Sequence, residues 1–451
     1  MTTCYWIEEV ACIEDCENPN LPPLPGDFVV WDETPAVLAG RTISPTFPRG
    51  SAWIEIVASP NIIVIGCNSN WRLSKTFKSY LVCVSSDHGF TWQGYDKYPF
   101  VNGTVVGYES SYYDAQWQQY SGTAIAYDEE GGEFFSVDGT MNDESGNVAK
   151  LKTSRSTDGV NWTTQTVADI NYSPVWCEAY NGTVWYIGYN TVGYYEAFPS
   201  QEIIKMSLRA STNGGATWVG QTFGTATFQP WDNLNKAFTH CSANAQGLHV
   251  IDNAYDDISG FTNLYYYRPT SNTTWAAPVE LWADTYDLEP VYLGTSNFII
   301  ASRATPGNIY VGLVDRNPAY YTVMYRRSVD NGLTWSTAAV AWAGSAAYNL
   351  SFSNGVSSNG IRVVELDDGR LVLVTLGQTG YAYAVSENSL ATGFGPITKL
   401  QEGGLSILST QFANYSPLFE ATNKGNDVVI AWCNDSPGGG DDLERSLVFR
   451  P

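Results

Sequence analysis

Basic residues are scarce in this chain: 23 Lys and Arg stand against 46 Asp and Glu, a formal charge of −23 over 451 residues. Nucleic-acid affinity comes from Lys and Arg displacing counterions from phosphates, and anionic membrane surfaces recruit polybasic segments, so neither is an expected partner. Histidine is scarcer still, with only His88, His240 and His249; neither a histidine-rich zinc site nor a Ser-His-Asp triad suggests itself. Long hydrophobic runs are missing too. Stretches such as Asn61–Cys67 are strand-sized, so no membrane insertion is expected. The first residues, Met1 to Glu9, have neither a basic nor an apolar region, so no signal peptide is expected there. The eight cysteines are too sparse for a disulfide framework. Cys67, Cys83, Cys177 and Cys433 sit in apolar alternation and read as buried thiols, whereas Cys4, Cys12 and Cys16 have no nearby His to complete a zinc site.

Aromatic residues are abundant, with 29 Tyr, 18 Phe and 16 Trp, and some of them recur in a phrase. It reads Ser85-Ser-Asp87-His-Gly89-Phe-Thr91-Trp92 and again Ser328-Val-Asp330-Asn-Gly332-Leu-Thr334-Trp335. Ser211-Thr-Asn213-Gly-Gly215-Ala-Thr217-Trp218 has Asn for Asp, and Ser156-Thr-Asp158-Gly159-Val-Asn-Trp162 is one residue shorter. Eroded copies end at Trp275 and Phe394, which places the terminal aromatics 70, 56, 57, 60 and 59 residues apart. A period of this size indicates stacked supersecondary units within one domain. Each phrase also suits a hairpin turn: Ser and Asp accept backbone N–H bonds, Gly takes a positive φ, and Trp returns to the core.

These phrases resemble the Asp boxes, or BNR repeats, of sialidase-type β-propellers. The resemblance implies an all-β fold of four-stranded antiparallel blades with each box at the turn between the third and fourth strands. There the boxes are structural, so Ser85, Asp87, Gly89, Trp92, Ser156, Asp158, Trp162, Ser211, Asn213, Gly215, Trp218, Ser328, Asp330, Gly332 and Trp335 are expected at the blade periphery, away from any ligand. Glycine-marked pairs such as Asn181-Gly182 and Asp368-Gly369 supply the turns between first and second strands. Units follow at about 45–100, 101–168, 169–226, 227–284, 285–343 and 344–401. Residues 402–451 provide three more strands, and a fourth can come from 28–43, beginning Phe28-Val-Val-Trp31. Closure across the termini removes sheet edges and gives a single propeller of seven blades over 28–451. Enzymatic sialidases of the family have six, and six blades with the last strands packed outside is the alternative. Residues 1–27, acidic and Cys-containing, read as a docking tail.

Two faces result. One carries short first-to-second-strand turns and the boxes; the other carries the irregular sequence, and loops on a rigid scaffold usually hold function. Tyr108, Tyr112, Tyr113 and Trp117 lie in one such stretch, Tyr189, Tyr194 and Tyr195 in another, Asp256 and Asp257 in a third. Aromatic rings beside carboxylates suit saccharides, because ring faces stack while acids pair with hydroxyls. No cofactor is expected, although the acidic stretches Asp138–Glu144 and Asp435–Glu444 offer oxygen ligands of the type Ca²⁺ takes.

A sialidase would need cations to clamp the substrate carboxylate, a Tyr nucleophile and acidic partners. Arg49, Arg303, Arg362 and Tyr415 are the candidates, with Arg303 and Arg362 placed on inner strands; the family's Arg-Ile-Pro motif has no match. Hydrolysis by a carboxylate pair is also open, but nothing in the sequence selects the two acids. The leading expectation is a non-enzymatic binding or adhesion propeller that recognises a glycan or protein on its long-loop face. In style it resembles a bacteriophage virion component on a tail or capsid surface, joined to a structural protein through residues 1–27. Its other expected locations are the bacterial cytoplasm or a non-classical export route.

Overall fold

The fold was analysed in a computed structural model that describes residues 28–30, 54–68, 80–87, 93–96, 123–140, 150–167, 174–195, 198–222, 227–229, 239–256, 261–285, 297–316, 321–343, 361–377, 380–386, 393–399, 401–402, 405–406, 419–433, 444–449 and 451. Alternating and continuous apolar runs fold into antiparallel sheets. Blade 1 is built from Ile54–Ala58, Ile63–Asn68, Tyr80–Ser85 and Gln93–Asp96, paired in that order. Six further sheets repeat the plan, with inner strands Thr123–Asp128, Pro174–Tyr180, Thr239–Asn244, Asn297–Ala301, Ile361–Glu365 and Phe419–Lys424 heading blades 2 to 7. Six of the seven sheets have four strands; blade 3 has five, because Thr227–Gln229 joins its third strand. Each inner strand contacts the next, and that of blade 7 contacts that of blade 1, so the ring closes as a β-propeller.

The fourth strand of blade 7 comes from the other end of the chain. Phe28–Val30 pairs antiparallel with Glu444–Phe449, in the register Phe28↔Phe449 and Val30↔Leu447. The inner strand of blade 7 lies between those of blades 6 and 1. The expected docking tail, residues 1–27, lies outside the described residues.

The hydrophobic core sits between adjacent blades. Val184, Tyr186 and Leu208 of blade 3 pack with Leu248, Val250 and Tyr267 of blade 4, and Phe298, Tyr310 and Trp342 of blade 5 with Val363, Leu371 and Leu373 of blade 6. The second strand of blade 6 is covered on both faces by its neighbours, so its run is continuously apolar rather than alternating: Leu371, Val372, Leu373 and Val374 have no exposed surface.

Polar staples also join the blades at the end of the ring where first and second strands turn. Asp128 of blade 2 accepts the Gly182 amide of blade 3 at 2.5 Å, and Asn244 of blade 4 donates to the Ser302 carbonyl of blade 5 at 3.4 Å. Glu365 of blade 6 accepts the Ser302 hydroxyl and, at 2.7 Å, the Arg303 amide of blade 5. The amides of Asp367 and Asp368 in blade 6 donate to Gly425 and Asn426 of blade 7. Buried turns carry unpaired N–H groups, and these bonds satisfy them.

At the turns between third and fourth strands, the recurring phrase forms a compact hydrogen-bonded knot. In blade 5, Ser328 Oγ donates to Asp330 Oδ1 at 2.7 Å, the Thr334 amide and hydroxyl donate to the two Asp330 oxygens at 2.8 and 2.6 Å, and the Gly332 amide donates to Ser328 Oγ at 2.8 Å. The Thr334 hydroxyl and amide, with the Ser328 hydroxyl, hold the Asp330 carboxyl down to about 2. Blades 2 and 3 repeat the bond from Ser to the acid or amide, Ser156 to Asp158 at 2.9 Å and Ser211 to Asn213 at 3.0 Å, and blade 1 does so from Ser85 to Asp87 at 2.8 Å. Gly89 and Trp92 lie outside the described residues.

Three placements differ from expectation. The stretch Tyr189–Pro199 is not an irregular loop, because Val184–Tyr195 and Phe198–Ser211 continue as one long hairpin past the blade. Its alternation of Val192, Tyr194, Ile204 and Glu202 sustains the ladder, with Val192↔Ile204 and Tyr194↔Glu202 paired. Asn253–Asp256 likewise belongs to the strand Gly247–Asp256, paired with Phe261–Tyr267. Arg303 lies two residues beyond the inner strand Asn297–Ala301, in the turn, where Ser302 and Thr305 close a local hydrogen-bonded loop instead of extending the strand.

Candidate functional site

A cavity of about 1290 Å³ occupies the ring centre and opens on the face of the first-to-second-strand turns. This is the face expected to carry only tight turns and boxes. Its walls are the apolar inner strands, through Val57, Ile125, Ile300 and Val363, so the charged groups at its rim stand against low-dielectric surface. Five acids line it, Glu129, Glu178, Glu365, Asp367 and Asp427, with three bases, Arg303, Arg370 and Lys424.

Arg303 is the hub. Its Nη1 lies 2.8 Å from Glu129 Oε1 of the blade 2 turn and its Nη2 lies 3.9 Å from Glu178 Oε2 on the inner strand of blade 3. The two carboxylates therefore approach one guanidinium, and their nearest oxygens are at most about 9 Å apart, under the upper limit of roughly 9.5 Å for carboxylate pairs in glycoside cleavage. Glu178 is enclosed by protein with only 21% of its side chain exposed. Burial pushes its carboxyl up to about 7, and Arg303 offsets only part of that effect. Near neutral pH this acid is divided between its protonated and ionised forms, which is the state a proton donor needs.

The other groups are more fully engaged. Glu365 holds the blade 5 turn through Ser302 and the Arg303 amide; burial raises its carboxyl, and those donors oppose the rise. Arg370 Nε pairs with Asp368 at 2.8 Å. Arg362, three residues before Glu365 on the same strand, grips Glu420 of blade 7 with two nitrogens, Nε at 2.6 Å and Nη2.

Of the residues considered for a sialidase, the structure pairs Arg303 with Glu129 and Glu178, and Arg362 with Glu420; Arg49 and Tyr415 lie outside the described residues. Among the aromatic-loop candidates, Tyr108, Tyr112, Tyr113, Trp117 and Asp257 also lie outside them. Tyr189, Tyr194 and Tyr195 fall on the long blade 3 hairpin, and Asp256 ends the second strand of blade 4. For Ca²⁺, Asp138 belongs to the strand Glu133–Thr140 and Glu444 begins Glu444–Phe449, while 141–149 and 434–443 are outside the described residues. Among the described residues no group of three or more His, Cys, Asp or Glu could hold a metal ion. Glu129 and Glu178 were not singled out by the sequence; the signal available was a carboxylate interrupting the inner-strand run Pro174–Tyr180 and a double acid opening the turn Glu129-Glu130-Gly131.

No family model matches the chain, and no curated protein matches it. Solved structures do. The polysaccharide lyase Uly1 superposes with a TM-score of 0.51 at 8% identity, covering 93% of this chain and 95% of its own. The two share a fold. The α-L-arabinofuranosidase Arb93A from Fusarium graminearum matches with a TM-score of 0.42 at 13% identity, over 74% of this chain and 93% of its own. The NanB sialidase from Streptococcus pneumoniae matches with a TM-score of 0.43 at 11% identity, over 90% of this chain and 70% of its own.

Proposed function

We propose that this propeller cleaves glycosidic bonds with a carboxylate pair at the channel mouth, Glu178 acting as proton donor and Glu129 as its partner. The observation that carries the reading is a half-buried acid raised to about 7 beside a second carboxylate on the same arginine. Glu178 gives its proton to the leaving glycosidic oxygen. Glu129 either takes a proton from the attacking water or attacks the anomeric carbon itself, and the anomeric configuration of the product distinguishes the two. The likeness to Uly1 supplies the fold; the carboxylate pair supplies the chemistry. A sialidase mechanism fits less well, because Arg303 and Arg362 already pair with protein carboxylates instead of standing ready for a substrate carboxylate.

The test is a panel of fluorogenic aryl glycosides and polysaccharides. Wild type should release product from at least one, and Glu178→Gln or Glu129→Gln should slow it by roughly 10²–10⁴-fold. Unchanged turnover in both variants would sink the assignment. A binding or adhesion role is kept as a second reading by the blade 3 hairpin, which carries Tyr194 and Tyr195 beyond the reach of the outer strand Val219–Thr222. Saccharide binding without turnover, lost on Tyr195→Ala, is the result that would favour it, and attachment to a virion through residues 1–27 belongs to that reading.

A further inference from the structure

Three cations line the channel, and two of them have direct carboxylate partners: Arg303 with Glu129 at 2.8 Å, and Arg370 with Asp368 at 2.8 Å. Lys424 differs. It ends the inner strand of blade 7, lines the cavity and is only 6% exposed. Among the described residues its ammonium makes no hydrogen bond and no ion pair within 4 Å; Asp427 and Asp87 act on it only through their fields. Burial draws its amine below the ordinary lysine range in spite of those two acids. Its nitrogen is not sealed from solvent but meets the water of the cavity, so an anion that enters can replace that water and accept its protons.

The surroundings limit what that anion can be. Acids outnumber bases in the lining by five to three, so a polyanion would meet a lining of net negative charge. A single charged substituent on an otherwise neutral ligand meets Lys424 and leaves the rest of the ligand to the polar rim. We propose that Lys424 is a specificity residue that recognises one anionic group, a carboxylate or a sulfate ester, carried by a saccharide in this channel. That the carrier is a saccharide rests on the glycoside-cleaving reading of the same cavity; the anion site itself rests on Lys424.

Calorimetric titration tests it on the full chain with three probes: a trisaccharide carrying one uronate, its neutral methyl ester, and an otherwise neutral trisaccharide whose single charge is one sulfate ester. Wild type should bind at least one charged probe about tenfold or more tighter than the methyl ester, as expected for a hydrogen bond to a charged group. Which charged probe is preferred identifies the substituent. Lys424→Gln should erase the preference and Lys424→Arg should retain it. Equal affinity of wild type for charged and neutral probes overturns the proposal, as does a preference that survives in Lys424→Gln. If Lys424→Gln fails to fold, Lys424→Met takes its place in the same comparison. Binding is read without turnover, so the two readings fail separately. Hydrolysis without the anion preference removes this site only, and the preference without hydrolysis removes the glycosidase only.

Discussion

Glu178→Gln should make the protein more stable above pH 7 and flatten its stability profile between pH 4.5 and about 7. The carboxyl has an ordinary value of 4.5 and is raised to about 7 in the folded chain, first by burial, with Arg303 pulling the other way. A raised folded value means that the folded state holds the proton more tightly than the unfolded state. Its stabilising contribution is therefore complete below pH 4.5, fades as pH rises, and is gone above about 7. Gln keeps the shape and cannot ionise, so the variant lacks that slope, and Arg303 retains Glu129 at 2.8 Å. The gain at pH 8 should be on the order of 2 kcal/mol, reduced by the water that the side chain still touches. Urea unfolding of both proteins at pH 5 and pH 8 checks it. Parallel stability profiles would show that Glu178 is not desolvated as described.

Gly332→Ala should be among the most damaging small substitutions in the chain. Gly332 sits at φ +78, where an L side chain is strained, and a Cβ there would fall on the ring and hydroxyl of Tyr266 from the neighbouring blade. That ring has nowhere to go. Its hydroxyl is 2.7 Å from His249 Nδ1, and its edge meets Trp335 with ring centres 4.8 Å apart. Burial also keeps His249 neutral, drawing its imidazole down to about 3, so the pair stays uncharged across the physiological range. Strain and overpacking together should cost at least about 2 kcal/mol. Gly132→Ala is the control, since Gly132 has φ +68 but nothing within 4 Å of an added Cβ; it should cost only about 1 kcal/mol. Equal losses in thermal unfolding would mean that the blade 4 to blade 5 contact carries no weight.

Much of the architecture was legible because it is periodic. The Ser-X-Asp/Asn phrase marks one turn in blades 1, 2, 3 and 5, and the glycine pairs mark another, so strand order and the pairing of Phe28–Val30 with the last strand follow from spacing. The site was not legible, for a physical reason. Glu129, Glu178 and Arg303 are separated by 49 and 125 residues and meet only because the ring brings the turns of blades 2 and 5 and the inner strand of blade 3 to one channel. Nor does sequence distinguish Glu178, which pairs across the channel mouth and titrates near neutrality, from Glu420, which is gripped by Arg362. Reading Tyr189–Pro199 as a loop failed for a related reason: aromatic and β-branched residues at alternate positions fit a projecting ladder as well as a loop.

The most direct test of the channel-mouth assignment is the pH dependence of kcat/KM on whichever glycoside wild type cleaves. A proton donor must be protonated, so the rate should fall as pH rises through an apparent value near 7, and Glu178→Gln should abolish that limb along with most of the rate. A profile that stays level from pH 6 to 9, or an alkaline limb that persists unchanged in Glu178→Gln, would contradict it.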